Sequence, residues 1–192
     1  MSEDQLDRLR SRIERLMEAV RDLKGKGFQW QPVTSSGSKQ TYDVRGVAPP
    51  EETEDTLAHL FIDVWSMKDF VTRCAEAAGR NKDWVLEEVR HSEALKVAAD
   101  VAIFEKHGEV NKPWMPQSGL KLGRGSDRMP QRTVQALIFD QDSIVVQAGN
   151  QDQIDREVPI VDDEGTVIAY ALPTLEAAVA AWEGVLAKLE DN

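Results

Sequence analysis

The sequence predicts an α+β fold in which N-terminal helices lead into a small antiparallel β-meander and then a C-terminal helix. Three observations predict it. Apolar residues recur at steps of three and four up to about His107, run in short β-branched or alternating blocks from Arg132 to Leu172, and return to the helical step from Thr174 onward. Helices first and strands afterwards, with no regular alternation between them, describe an α+β domain rather than a βαβ array.

The first helix opens with Ser2 three residues before Gln5, a capping-box spacing, and ends where Gly25 and Gly27 release the chain. Leu6, Leu9, Ile13, Leu16, Val20 and Leu23 step 3-4-3-4-3, the alternation of a heptad seam, which favours a partner helix. Two and a half heptads are marginal alone, so this helix docks on its own body or on a second copy of the chain. Residues 28–53 read as a linker or weak hairpin: alternating stretches flank "SSGS", Pro32 weakens the first of them, and a double proline ends the segment. Residues 54–192 read as a single α+β domain. Glu54 to Ala78 is a helix with Leu57, Leu60, Phe61, Val64, Val71 and Ala75 on one face and Gly79 as its stop. A shorter helix starts at Asp83. Ser92 caps the next, which Gly108 ends. "RTVQALIFD" and "SIVVQAG" read as strands around a polar turn, and "REVPIVDDEGTVIAYAL" as two more, with Pro159 placing its strand at an edge or a break in pairing. Leu175, Ala178, Val179, Trp182, Leu186 and Leu189 make one face of the last helix.

At 192 residues the chain suits one well-buried core with an appended arm. A net charge of −11 repels phosphate on average, so nucleic-acid binding requires a local basic exception. The single cysteine, Cys74, excludes an intrachain disulfide and a thiolate zinc site, and no cofactor motif is present. The N-terminus lacks the apolar block of a signal peptide, and no apolar run is long enough to span a membrane. The expected location is the cytoplasm.

In "SEALKVAADVAIFEKHGEV" the helix from Ser92 is apolar almost all round, yet Glu93, Lys96, Asp100 and His107 fall within an arc of about 60°. Asp100 and His107 are two turns apart, about 10.5 Å by helical rise, so they line one groove rather than touch. They are the candidate catalytic pair, with His107 able to titrate near neutrality. The simpler reading is a solvated helix edge carrying a charge ladder. On the preceding helix Lys68 falls on the apolar face and must snorkel or find an acid, Asp100 being one candidate. His59 and Asp63, four residues apart, supply at most two metal ligands, so no metal site is expected.

The stretches "VWSMKDF", "AADVAIFEKHG" and "AVAAWEGVL" resemble a loosely defined group of small prokaryotic and phage-encoded proteins. In that group an aromatic/Asp helix precedes an Asp-x-Ala-Asn-x-x-Lys-His helix end, then strands and a last helix containing Trp. Matching residues are Trp65, Asp69, Phe70, Asp100, Ala102, Lys106, His107 and Trp182, across roughly residues 55 to 190; Ile103 stands where the pattern has Asn. The resemblance implies the fold, with no activity attached to it. A more distant likeness is to HEPN-type ribonucleases, whose site is an Arg followed four to six residues later by His. No histidine here has an arginine at that spacing, and an acid does not replace an arginine in stabilising a phosphorane.

The local basic exception lies in "NKPWMPQSGLKLGRGSDRMPQR", where Lys112, Lys121, Arg124, Arg128 and Arg132 face only Asp127, a balance of +4. Its glycines suit a phosphate-binding nest, with Trp114 as a stacking residue, although no Walker A sequence is present. Three readings follow. The first is a non-catalytic cytoplasmic interaction or regulatory protein, self-associating or binding a protein partner through the N-terminal helix, with no membrane role. The second is a nuclease or nucleotide-acting enzyme using Asp100 and His107. The third is nucleic-acid binding through the basic loop.

Overall fold

The computed structural model describes residues 7, 8, 11, 12, 14–16, 18, 19, 27–32, 40–47, 50–81, 83–117, 119–139, 143–149 and 155–190. The fold is α+β, as the order of apolar periods predicts. The described residues between 7 and 19 are helical, followed by β1 (Phe28–Trp30), β2 (Thr41–Arg45), α1 (Pro50–Ala77), α2 (Asp83–His91) and α3 (Glu93–His107). Then come β3 (Lys121–Leu122), β4 (Ser126–Arg128), β5 (Val134–Phe139), β6 (Ser143–Ala148), β7 (Asp155–Glu157), β8 (Pro159–Val161), β9 (Val167–Tyr170) and α4 (Ala171–Glu190).

The chain divides into two compact units, one of residues 1–22, 56–123 and 158–192, the other of residues 23–55 and 124–157. These boundaries differ from those expected at 27/28 and 53/54, because the segment read as a linker pairs its strands with a distant part of the chain.

The helical unit holds most of the core. Leu57, Phe61, Val64, Met67 and Val71 of α1, Leu95 and residues 97–102 of α3, and Leu175, Ala178, Trp182 and Leu186 of α4 are all buried. Pro50 and the acids Glu51 and Glu52 suit the first turn of α1, so this helix begins four residues earlier than Glu54. Ser92 Oγ accepts the Leu95 N–H at 3.3 Å, and Gly108, in the left-handed region at φ 76°, closes α3 by donating its N–H to Phe104 O. Trp182 is fully buried and donates its indole N–H to Val64 O at 3.0 Å, joining α4 to α1. The small sheet of this unit has the order β3-β8-β9, all antiparallel. Pro159 is the first residue of the central strand, where the chain leaves one sheet and enters another; its carbonyl accepts the Gly123 N–H at 2.7 Å. Asp162 Oδ1 accepts the N–H groups of Glu164 and Thr166, which sets the β8–β9 turn.

The second unit is built on a sheet of order β1-β2-β6-β5. β1 and β2 pair antiparallel, which makes residues 28–45 a hairpin whose turn lies outside the described residues. β2 and β6 run parallel, a pairing that a simple meander does not contain. β4 and β7 form a separate antiparallel pair.

Candidate functional site

The polar line on α3 is not a solvated edge along its length. Glu93 and His107 are exposed, but Asp100 between them has 0% of its surface accessible. Its carboxylate accepts the N–H of Trp114 through both oxygens (2.9 and 3.0 Å) and that of Met115 at 2.8 Å. Burial pushes this carboxyl above the usual carboxylate range, and the two backbone N–H groups pull partly back. Asp100 therefore clamps the segment that follows α3. Trp114, held by that clamp, packs edge-on against Trp65 at 5.8 Å between ring centroids.

His107 lies at the mouth of two clefts. One of about 170 Å³ is lined by Trp65, Lys68, Asp69, Ile103 and Lys106 together with His107. The other, about 480 Å³, runs from Ile103 and His107 to Lys112. Asp100 lines neither. Five of the residues that carry the sequence resemblance, Trp65, Asp69, Ala102, Lys106 and His107, thus surround one small cleft. Lys68 snorkels to its edge, 3.4 Å from the Asp69 carboxylate and 5.0 Å from the Trp65 ring centre, and does not reach for Asp100. The smaller cleft offers an imidazole, two ammonium groups and one carboxylate. A general base in a nucleophilic pair is oriented by a third group, and among the described residues no hydrogen bond orients the His107 ring. No group of three metal-ligating side chains occurs among the described residues, and none of their helices is long and apolar enough to cross a membrane.

In the basic segment 112–132 the regular structure among the described residues is confined to β3, β4 and the start of a short 3-10 turn. Lys112, Trp114 and Lys121 belong to the helical unit, while Arg124, Arg128 and Arg132 belong to the sheet unit. Lys121 lies over the Phe104 ring, and the β4–β7 register sets Arg128 opposite Asp155. The Gly125 N–H is given to Glu54, a carboxylate of its own unit. A phosphate nest needs free N–H groups, and this one is taken.

Of the heptad seam, Leu16 is buried within the single chain, and the neighbouring Arg12 reaches Ser66 and Asp63 of α1. Leu6, Leu9, Ile13, Val20 and Leu23 lie outside the described residues.

Two features of the structure have no complete signature in the sequence. Arg8, Arg12 and Arg15, at i, i+4 and i+7, converge with Arg73 of α1 on a cavity of about 610 Å³. Their spacing was legible as a one-face stripe; the contribution from α1 was not. The second is a sheet face. In the four-stranded sheet, Trp30 pairs with Tyr42, Tyr42 with Ile144 and Ile144 with Phe139; the next row contains Val44, Val146 and Leu137. Directly paired residues share a face, so seven apolar side chains form one uncharged surface. None is buried, and Phe139 (72%), Trp30 (57%) and Leu137 (52%) are strongly exposed. The opposite face mixes Gln29, Asp43, Val145 and Ile138.

Comparison with protein-family models, with curated proteins and with solved structures finds no match to this chain, so the reading of its sites rests on their geometry alone.

Proposed function

We propose that this is a non-catalytic interaction or regulatory protein of the cytoplasm that self-associates through the apolar face of its four-stranded sheet. The observation that carries the reading is the double row of Trp30, Tyr42, Ile144 and Phe139 with Val44, Val146 and Leu137, in which Trp30, Leu137 and Phe139 are exposed and the other four half-buried. A contiguous exposed apolar face costs solubility unless something covers it. A surface without charge offers nothing to steer a charged partner, but it complements itself: two such faces stack about 10 Å apart as a sandwich. Four strands about 4.8 Å apart and three residues deep present on the order of 200 Å² in projection. Seven side chains are far fewer than the roughly 20–30 residues a side of a standard stable interface, so the contact is reversible and concentration-dependent. The single cysteine supports a reducing compartment. The enzyme alternative has less support, since Asp100 spends its carboxylate on Trp114 and Met115.

Native mass spectrometry and sedimentation across a concentration series test this. The expected result is a monomer–dimer equilibrium that the double change Leu137→Asp and Phe139→Asp moves to monomer, with little effect on melting because both side chains are exposed in the single chain. Assembly that survives this change but is lost in a Leu9→Asp protein that melts like the parent would move the contact to the N-terminal helix. A monomer at every concentration would end the self-association reading.

A further inference from the structure

The cleft of about 170 Å³ between α1 and α3 lies within the helical unit and plays no part in the sheet contact. The stretches of the two helices that form it, 62–69 and 102–107, are described throughout. Its apolar walls are the half-buried Ile62, Trp65 and Ile103 and the buried Ala102. Half-buried hydrocarbon facing one slot stands against water, and a ligand of matching surface relieves that contact. The Trp65 wall is fixed beforehand. Lys68 lies 5.0 Å from its ring centre, and Trp114, held by the Asp100 carboxylate, packs edge-on at 5.8 Å.

The polar groups of the slot divide into committed and uncommitted ones. Ser66 Oγ donates to Asp63 O at 2.7 Å and accepts from Arg12 at 3.2 Å, while Lys68 and Asp69 lie 3.4 Å apart. Lys106 and His107 make no hydrogen bond or ion pair with any described residue. The acids nearest them in sequence are engaged elsewhere: Glu105 accepts the Leu122 N–H at 3.3 Å, and Glu109 accepts from the Asn111 amide at 3.2 Å. Lys106 and His107 stand in the last turn of α3, where a cation complements the negative end of the helix. That accounts for their charge but not for the apolar slot that they rim.

We propose that this slot binds a small monocarboxylate with a compact apolar body, its carboxylate taken by Lys106 and His107 and its body laid against Ile62, Trp65 and Ile103. An ammonium and an imidazole N–H supply donors for the two oxygens of a carboxylate. Inorganic phosphate carries no hydrocarbon to cover the walls, so the apolar side of the slot selects against it. Asp69, with 70% of its side chain accessible, is screened by water and by Lys68. A volume of about 170 Å³ is below the roughly 300–1,000 Å³ of sites for drug-sized ligands, which limits the body to about one ring or one branched chain. The same chemistry is offered by a flat aromatic acid and by a branched aliphatic one.

NMR titration of the full chain with sodium benzoate and with sodium isovalerate tests the assignment. Saturable shifts of the His107 ring and Trp65 indole N–H signals are expected with at least one probe. The Lys106→Gln/His107→Gln protein, changed at two exposed positions, should melt like the parent and, read at Trp65, bind at least about tenfold more weakly. Tighter binding of benzoate would support the slot with a flat body, and tighter binding of isovalerate would support it with a branched one. No saturable shift from either probe at millimolar concentration would overturn the proposal. So would an affinity unchanged in the double variant. Acetate or inorganic phosphate binding as tightly as the better probe would remove the role of the apolar walls, and benzamide matching benzoate would remove that of the carboxylate; either result overturns the assignment.

Discussion

Asp100 is a charge placed where a helix has no water to offer it. Its partners are two backbone N–H groups, and backbone carries no side-chain signature. That is why the 60° arc on α3 was legible while the use of Asp100 was not. Replacing it with alanine leaves the N–H groups of Trp114 and Met115 without an acceptor, at about 1–3 kcal/mol for each one left buried. Urea titrations of Asp100→Ala should therefore show a loss of a few kcal/mol, whereas His107→Ala, at an exposed position, should show nearly none. The ionisation of Asp100 gives a second readout. Its folded pKa lies above the unfolded value, so the folded state holds the extra proton between the two. Its contribution is full below the usual carboxylate range and is lost as pH rises through the raised folded value. The stability difference between the parent and Asp100→Asn should slope downward with pH across that window and flatten above it. A difference independent of pH would show that burial does not perturb this carboxyl.

At the scale of elements, helices were the readable part. Caps at Ser92 and Gly108 and the face of α1 from Leu57 to Ala75 are local patterns, and local patterns survive folding. Pairings between strands are not local. β5 and β6 were legible as a hairpin, but the parallel join of β2 to β6 links segments about a hundred residues apart, and alternation in a strand does not say who its neighbour is. The same limit hid Arg73 as the partner of Arg8, Arg12 and Arg15. α4 depends most on one residue. Trp182→Ala should cost about 3–5 kcal/mol through the void it opens, and Trp182→Phe less, since the ring is mostly replaced while the bond to Val64 O is lost. Thermal unfolding of the two variants checks that order. Gly27 makes the tightest approach to backbone among the glycines of the described residues, at φ 95° with a Cβ position 2.3 Å from the Val44 carbonyl oxygen, so any side chain there pushes the start of β1 away from β2.

Taken as a whole molecule, the chain distributes its apolar surface unevenly. In the helical unit α1, α3 and α4 bury theirs, while among the described residues of the sheet unit only Val47, Thr53 and Thr133 are buried. Amide exchange should follow this division, slowest along residues 97–102 of α3 and fastest in β5 and β1 at the sheet edges. If self-association covers the sheet face, protection of β5 should rise with protein concentration and that of α3 should not. The Gly123–Pro159 hydrogen bond carries a consequence for how such a chain is inherited. It closes the backbone across residues 124–157, so that stretch leaves and re-enters the helical unit at one point, the geometry of an inserted cassette. A gene that lost only this cassette would strand β2 without β6 beside it. The two stretches of the sheet unit, although widely separated in the reading frame, must therefore be gained or lost together.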